Sequence, residues 1–444
     1  MGRRTRTKGK VLLDKLPELP AGLRQAVQFP LIEAIQGRRS RRFPVGAEIP
    51  EGTFKFKSSH EPEPLTELEQ MMVLTAVAGN TGWLNLIPYN DNYLPNIPNY
   101  ASAAGGRTFP SAAGFHTTEF FYTDDNGTYF MGTRDAESLM DKDKRGQVDL
   151  YDYLEAHKKR IKKISDQRLH IPNNPAHIEM HNPWVVNTPG TTLIIPVADL
   201  AQHQIAVLCY IVQNGAIIYD DVLNRTIPGI EQFSHMVDIE HPYPLTYLEQ
   251  FSMSEVTVEL STSSYAGALT LQAMGLGGWM FDGITPLSIM GASGDPEVPG
   301  LGFHFEMKDG WSVPNATGLD GVFEGFTPPH YSDMRTAVEA YVHRKFGEGG
   351  PFNSKTPGPY KNNPETRGNA KIHNEEFIDC VTTMAQYTYD TFGKFPGTVP
   401  SMHIVTYLQA HHLELDYYDI YFTEGGYLDT HANHMDLWHG KKRS

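Results

Sequence analysis

Cysteine is almost absent: the 444 residues include two, Cys209 and Cys380. That is too few for a disulfide framework or a cysteine-rich zinc module, and a reducing, cytoplasmic setting is expected. Basic charge is also in the minority. With 37 Lys and Arg against 52 Asp and Glu, and a net charge of -15, the chain lacks the broad cationic surface that phosphate backbones require. Nucleic acid is therefore not an expected partner. No apolar run approaches the roughly 20 residues of a membrane span, so no membrane partner is expected either. The basic opening Met1 to Lys10 leads into Val11-Leu12-Leu13, which Asp14 and Lys15 interrupt at once. Without an apolar h-region, export is not expected. There is no internal repeat and no low-complexity tract, which excludes solenoids and propellers.

What is present is core-forming material, 40% hydrophobic and 11% aromatic, and at about 150 residues per domain the length suggests two or three units. The chain divides into a basic N-terminal tail (1–29), a main domain with insertions (30–330) and a helical extension rich in histidine and aromatics (331–444). Helices are expected at Pro30 to Gly37, after the Thr66/Glu69 capping box up to Gly79, after an Asp199 cap to Asn214, at Ser261 to Met274, at Asp333 to Lys345 and at Glu375 to Phe392. Thr117 to Tyr122 and Gly127 to Met131 flank a turn and read as a hairpin, Thr191 to Val197 as a strand, and Glu255 to Leu260 as a half-buried strand. Asp135 to Ile171 reads as charged and helical, with Lys158 to Lys163 a solvated face. Trp83 to Phe109, rich in Asn, Pro, Tyr and Gly, reads as a long ordered loop fit to line a pocket.

Three separated motifs carry chemistry. Arg38-x-Ser40-x-Arg42 sets two guanidinium groups and a hydroxyl just past a helix end, a clamp suited to a phosphate dianion. Pro110-Ser111-Ala112-Ala113-Gly114 is a small-residue loop whose backbone lets a flat ring approach closely. Gly275-Leu276-Gly277-Gly278 follows a helix and leaves the backbone unobstructed, although it lacks the order of a dinucleotide-binding turn.

Taken in order, with Gly127-Thr128-Tyr129 between them, these motifs resemble the nitroreductase superfamily. The stretch from Pro110 through Tyr129 is closest to its azoline dehydrogenase branch, which forms thiazole and oxazole rings. The resemblance covers roughly residues 30 to 310. It implies an α+β, nitroreductase-like fold, with a central antiparallel or mixed sheet flanked by helices, that dimerises and binds FMN at the subunit interface. Arg38, Ser40 and Arg42 are then expected at the phosphate, with Pro110, Ser111 and Gly114 near the flavin ring and Gly275 and Gly277 close by. A basic residue near the C-terminus, such as Lys441, Lys442 or Arg443, is a further phosphate candidate. The activity implied is an FMN-dependent oxidoreductase acting on a small organic or peptide-derived substrate, with a nicotinamide cofactor as electron donor. His116, Tyr122 and Tyr265 are the candidate proton donors. A flavin-sequestering protein without turnover is the alternative that keeps the cofactor.

The last segment holds the densest set of possible metal ligands, among them His403, His411, His412, Glu414, Asp416, His431, His434 and His439. Imidazoles with carboxylates suit zinc or non-haem iron. The spacings His412-x-Glu414 and His431-x-x-His434 match no zinc signature, and the aromatic neighbours read as packing. The segment is therefore expected to cover the flavin domain or wrap a partner subunit. A metal-dependent enzyme built on His412, Glu414, His431 and His434 is the reading from another class.

Overall fold

Alternation of side chains builds the central sheet. In a computed structural model, which describes residues 10–13, 15–16, 19–86, 99–134, 147–180 and 186–441, Thr118–Asp124 (β1) and Gly127–Met131 (β2) form the expected hairpin, Phe121 facing Phe130 and Tyr122 facing Tyr129. β2 pairs outward with Ile161–Ser165 (β3), and β1 pairs inward with Thr192–Asp199 (β4). Gly277–Phe281 (β5) closes the other edge against Tyr407–His411 (β7), which lies on β4 together with Met402–His403 (β6). All of these pairings are antiparallel, and the order is β5-β7-β4-β1-β2-β3, with β6 also on β4.

Because successive strand residues point to opposite faces, each face acquires its own core. Phe120, Tyr122, Ile194 and Leu408 pack under Glu67–Ala78 and Leu245–Met274, two helices that contribute Leu74, Val77, Leu271 and Met274. Phe121, Leu193, Ile195 and Tyr407 face the other way, against Phe281, Phe303 and Phe323. Each fully buried side chain of this size contributes roughly 1.5–3 kcal/mol. A third core joins the helices Leu200–Gln213, Met334–Phe346 and Glu375–Phe392. In chain order the helices used below are α1 (Ala21–Gln28), α2 (Leu31–Gly37), α3 (Glu67–Ala78), α4 (Leu200–Gln213), α5 (Leu245–Met274), α6 (Met334–Phe346), α7 (Glu375–Phe392) and α8 (His434–His439). The fold is thus α+β, and no described helix is long and apolar enough to cross a membrane.

Capping chemistry placed the helix ends well. Thr66 and Glu69 form the expected box at α3, Asp199 accepts from Gln202 N at α4, and Gly393 closes α7 with φ +74. Other expectations are corrected. Glu255 to Leu260 is the middle of α5, because its exposed residues recur with helical spacing and its β-branched Val256 packs against Leu200 rather than in a sheet. The segment after residue 330 is not only helical: β7 sits inside the central sheet, buried on both faces with a Tyr-Leu-Gln-Ala-His composition that shows no alternation. Within residues 1–29, Lys10–Leu12 pairs with Gln147–Asp149 and α1 buries Leu23, so part of that tail is structured. The lysines of Lys158 to Lys163 are exposed as expected, but the segment leaves the helix Leu150–Lys158 and enters the edge strand β3 instead of continuing as helix. The long-loop reading of Trp83 to Phe109 falls partly on residues 87–98, and the helical reading of Asp135 to Ile171 partly on 135–146, both outside the described residues.

Candidate functional site

The Arg38 to Arg42 segment leaves α2 in extended form and docks on β5. Arg41 N donates to Gly278 O at 3.2 Å and Gly278 N to Arg41 O at 2.8 Å. Strand alternation then sends Arg41 inward, where its guanidinium donates to Gln272 Oε1 (2.5 Å), Gly426 O (3.0 Å) and Gly37 O (3.2 Å) and burial lowers its pKa to about 10. Ser40 and Arg42 point the other way into a cleft of about 490 Å³ walled by Phe43, Phe54, Tyr417 and Tyr418. The Arg42 guanidinium stacks 4.1 Å from the Trp279 ring centroid. Arg38 lies at the same end, past the C-terminus of α2.

The two glycine candidates have a packing reason of their own. Gly275 caps α5 at φ +79, and a Cβ there would come within 2.0 Å of Thr430 O. A Cβ on Gly277 would meet the His411 ring at 2.6 Å. Of the C-terminal basic candidates, Lys441 pairs with Glu63, whereas Lys442 and Arg443 lie outside the described residues.

The second motif is elsewhere. Ser111 Oγ donates to Glu259 Oε2 at 2.6 Å and accepts from His116 N at 2.8 Å. Glu259 is buried and also accepts from Thr117 N and Thr118 N, and burial holds its carboxyl above the usual range. Pro110 is exposed at the loop's start, and Gly114 turns at φ +75 against Leu84 and Ala101. From Glu259 to Gly275 the chain climbs sixteen residues of α5, about 24 Å at 1.5 Å each. The structure therefore brings Arg38, Ser40 and Arg42 together with Gly275 and Gly277, and keeps Pro110, Ser111 and Gly114 of the same chain apart from them.

The proton-donor candidates are also dispersed. His116 is buried beside Ser111 in a left-handed conformation (φ +50), with neither ring nitrogen hydrogen-bonded, and burial together with Arg107 pushes it well below its usual pKa. Tyr122 is a core residue stacked 4.6 Å from Tyr129, its phenol raised by burial. Tyr265 is exposed on the outer face of α5.

A different constellation is the most concentrated in the described residues. Glu69 of α3 projects Oε2 back to its own N-cap, accepting from Thr66 N and Oγ1 at 2.7 Å each. Its Oε1 faces three imidazoles: Nε2 of His412 at 3.4 Å, of His434 at 2.9 Å and of His439 at 2.8 Å. Burial would raise this carboxyl, but the three imidazoles hold it far below the carboxylate range. Burial lowers His434, whereas the bond to Glu69 raises His439. Of the expected ligands, His412 and His434 meet here. Glu414 turns away to Ser58, His60 and Asp416, and His431 bonds the nearby Leu428 N. Glu69 was hidden by its recognisable capping role, and the five-residue step from His434 to His439 on a short C-terminal helix matches no ligand motif.

The scaffold and its two clusters define an α+β protein with an aromatic-walled cleft lined by Ser40 and Arg42 and a buried histidine-carboxylate centre. No protein-family model matches the chain, and no curated protein matches it. Among solved structures it is similar to a "putative nitroreductase" of Ralstonia eutropha JMP134, at 14% identity over 58% of this chain and 71% of that one, with a TM-score of 0.26. A superposition that loose assigns no function.

Proposed function

We propose that this chain is an FMN-dependent oxidoreductase of the nitroreductase type, working as a homodimer on a small organic or peptide-derived substrate with a nicotinamide electron donor. The observation that carries the reading is the backbone bridge between Arg41 and Gly278. It joins two motifs more than 200 residues apart and leaves Ser40 and Arg42 lining one cleft with aromatic walls. These residues fit a flavin mononucleotide: a hydroxyl and guanidinium groups for the phosphate and aromatic surface for a flat ring. When bound, the flavin supplies two-electron redox chemistry. The chain's part is to hold the phosphate with Arg38, Ser40 and Arg42 and to exclude water with Phe43, Tyr417 and Tyr418.

The separation of about 24 Å along α5 means that a site using both the Arg-x-Ser-x-Arg and the Pro-Ser-Ala-Ala-Gly motifs takes one from each protomer. An exposed apolar stripe on α5 supports such pairing: Tyr247, Phe251, Val258 and Tyr265 are 39 to 56% exposed and recur at intervals of four and seven. The proposal does not extend to azoline oxidation: the resemblance to that branch implies a Lys-Tyr pair for the substrate proton, and no lysine among the described residues lines the cleft beside Tyr417 and Tyr418.

The test is an absorbance spectrum of the purified protein with the released chromophore identified by mass. Flavin bands with FMN in the supernatant are expected, bleached by a nicotinamide donor. A colourless protein that takes up no added FMN overturns the reading.

A further inference from the structure

We infer that Glu69, His412, His434 and His439 form a structural zinc site that fastens the C-terminal helix α8 to α3. The ligating atoms, one from each residue, all lie within 4.8 Å of one another. Three of the residues are at least 97% buried. For zinc bonds of about 2.0–2.1 Å, the edges of a tetrahedral ligand set are about 3.3–3.4 Å. The observed separations between Glu69 Oε1 and the three Nε2 atoms, 2.8 to 3.4 Å, are near that size.

The outer hydrogen bonds fix which nitrogen faces inward. His412 Nδ1 lies 3.0 Å from Glu63 O and His434 Nδ1 lies 2.8 Å from Met274 O. A carbonyl only accepts, so both Nδ1 atoms carry hydrogen, and in the neutral rings both Nε2 atoms present a lone pair to the carboxylate. This is the arrangement in which metal-bound imidazoles are oriented by carbonyl acceptors. His434 Nε2 approaches Glu69 Oε1 without hydrogen-bond geometry and has no hydrogen-bond partner, although its residue is 3% exposed. Lone pairs converging on a carboxylate repel unless a cation lies between them. Supplying that cation as protons would make imidazolium ions of both His412 and His434, whose ring centroids lie 5.2 Å apart in a desolvated pocket. A single dication satisfies both inward lone pairs without setting two like-charged rings side by side.

The donor set selects the metal. Three imidazoles with one carboxylate suit zinc rather than the oxygen-loving magnesium or calcium. Four protein ligands leave no open position, which marks a structural centre rather than a catalytic one. The site links residue 69 to residues 412, 434 and 439, and so secures the terminal segment that packs on Gly275 through Thr430.

The inference is independent of the flavin reading and is tested on the full-length protein by metal analysis, with flavin content measured separately. Zinc is expected in equimolar amount after gel filtration. A chelator should lower the melting temperature by several degrees, and zinc but not magnesium should restore it. His439→Ala, at the partly buried edge of the site, and His412→Gln should each retain less than a tenth of the zinc. Cobalt in place of zinc should give the visible bands of a tetrahedral centre. A folded wild-type protein that holds no zinc after loading with zinc sulfate, and whose melting is unmoved by chelator, overturns the inference. So does full zinc retention in folded His439→Ala, which would place the ion elsewhere.

Discussion

Single residues here carry divided duties, and their environments set measurable consequences. Arg42 lies at the mouth of the Ser40 cleft with its guanidinium on Trp279. If it holds a phosphate, Arg42→Ala removes a charge-assisted hydrogen bond of about 1.5–3 kcal/mol and weakens FMN binding by roughly 10- to 100-fold. Fluorescence titration of apoprotein with FMN measures this, and an unchanged affinity removes Arg42 from the phosphate site. Glu255 gives a pH signature. Burial, and then the neighbouring Glu259, raise its carboxyl to about 7, while His203, 3.3 Å away, is itself pushed down to about 3 by burial and brings no charge. Between the unfolded value near 4.5 and about 7, the folded protein keeps a proton that the unfolded chain has lost. Stability therefore falls as pH rises through that window and levels off above it. After discounting for partial exposure the fall is on the order of 1 kcal/mol, and Glu255→Gln is expected to flatten it. Urea unfolding at pH 5 and pH 8 for both proteins makes the comparison, and equal slopes would show that Glu255 is not the titrating group.

Elements show where local rules hold and where tertiary contacts take over. The capped helices α3, α4 and α7 are legible because Thr66 and Asp199 satisfy end donors and Gly393 closes the last turn, each within a few residues of chain. The β1/β2 hairpin is legible because its turn closes locally. β7 is not, since its partners β4 and β5 come from residues more than 120 positions earlier and its burial on both faces erases alternation. The same distance hides the histidine-carboxylate centre, whose four ligands come from α3, the residue after β7, and α8, whereas the Arg-x-Ser-x-Arg and glycine motifs are short and local. Gly275 is the joint between the two regimes: a helix end readable from sequence, whose need for glycine comes from the distant Thr430. Gly275→Ala places a Cβ against that carbonyl in a left-handed residue, and a loss of at least about 2 kcal/mol is expected. A denaturation midpoint within error of the wild type would mean that Thr430 and its segment move away freely.

At the scale of the whole molecule, the outer face of α5 carries a row of exposed apolar side chains among the described residues. Thirty residues long, this helix buries Leu248, Val256, Leu260 and Leu271 inward and turns Tyr247, Phe251, Val258 and Tyr265 outward. Large apolar side chains repeated along one exposed face favour a self-complementary contact, in which the same surface serves both subunits. Such a contact would also let the phosphate-side and ring-side motifs of different chains share a site, which one chain cannot arrange. Val258→Glu puts a charge in the middle of the stripe, and the substitution leaves the cores intact because the side chain points outward. The expected result is a folded monomer by light scattering and circular dichroism that has lost its FMN along with its partner. A variant that stays dimeric with full flavin moves the interface off α5, and a wild-type monomer that binds FMN tightly would show that one chain suffices.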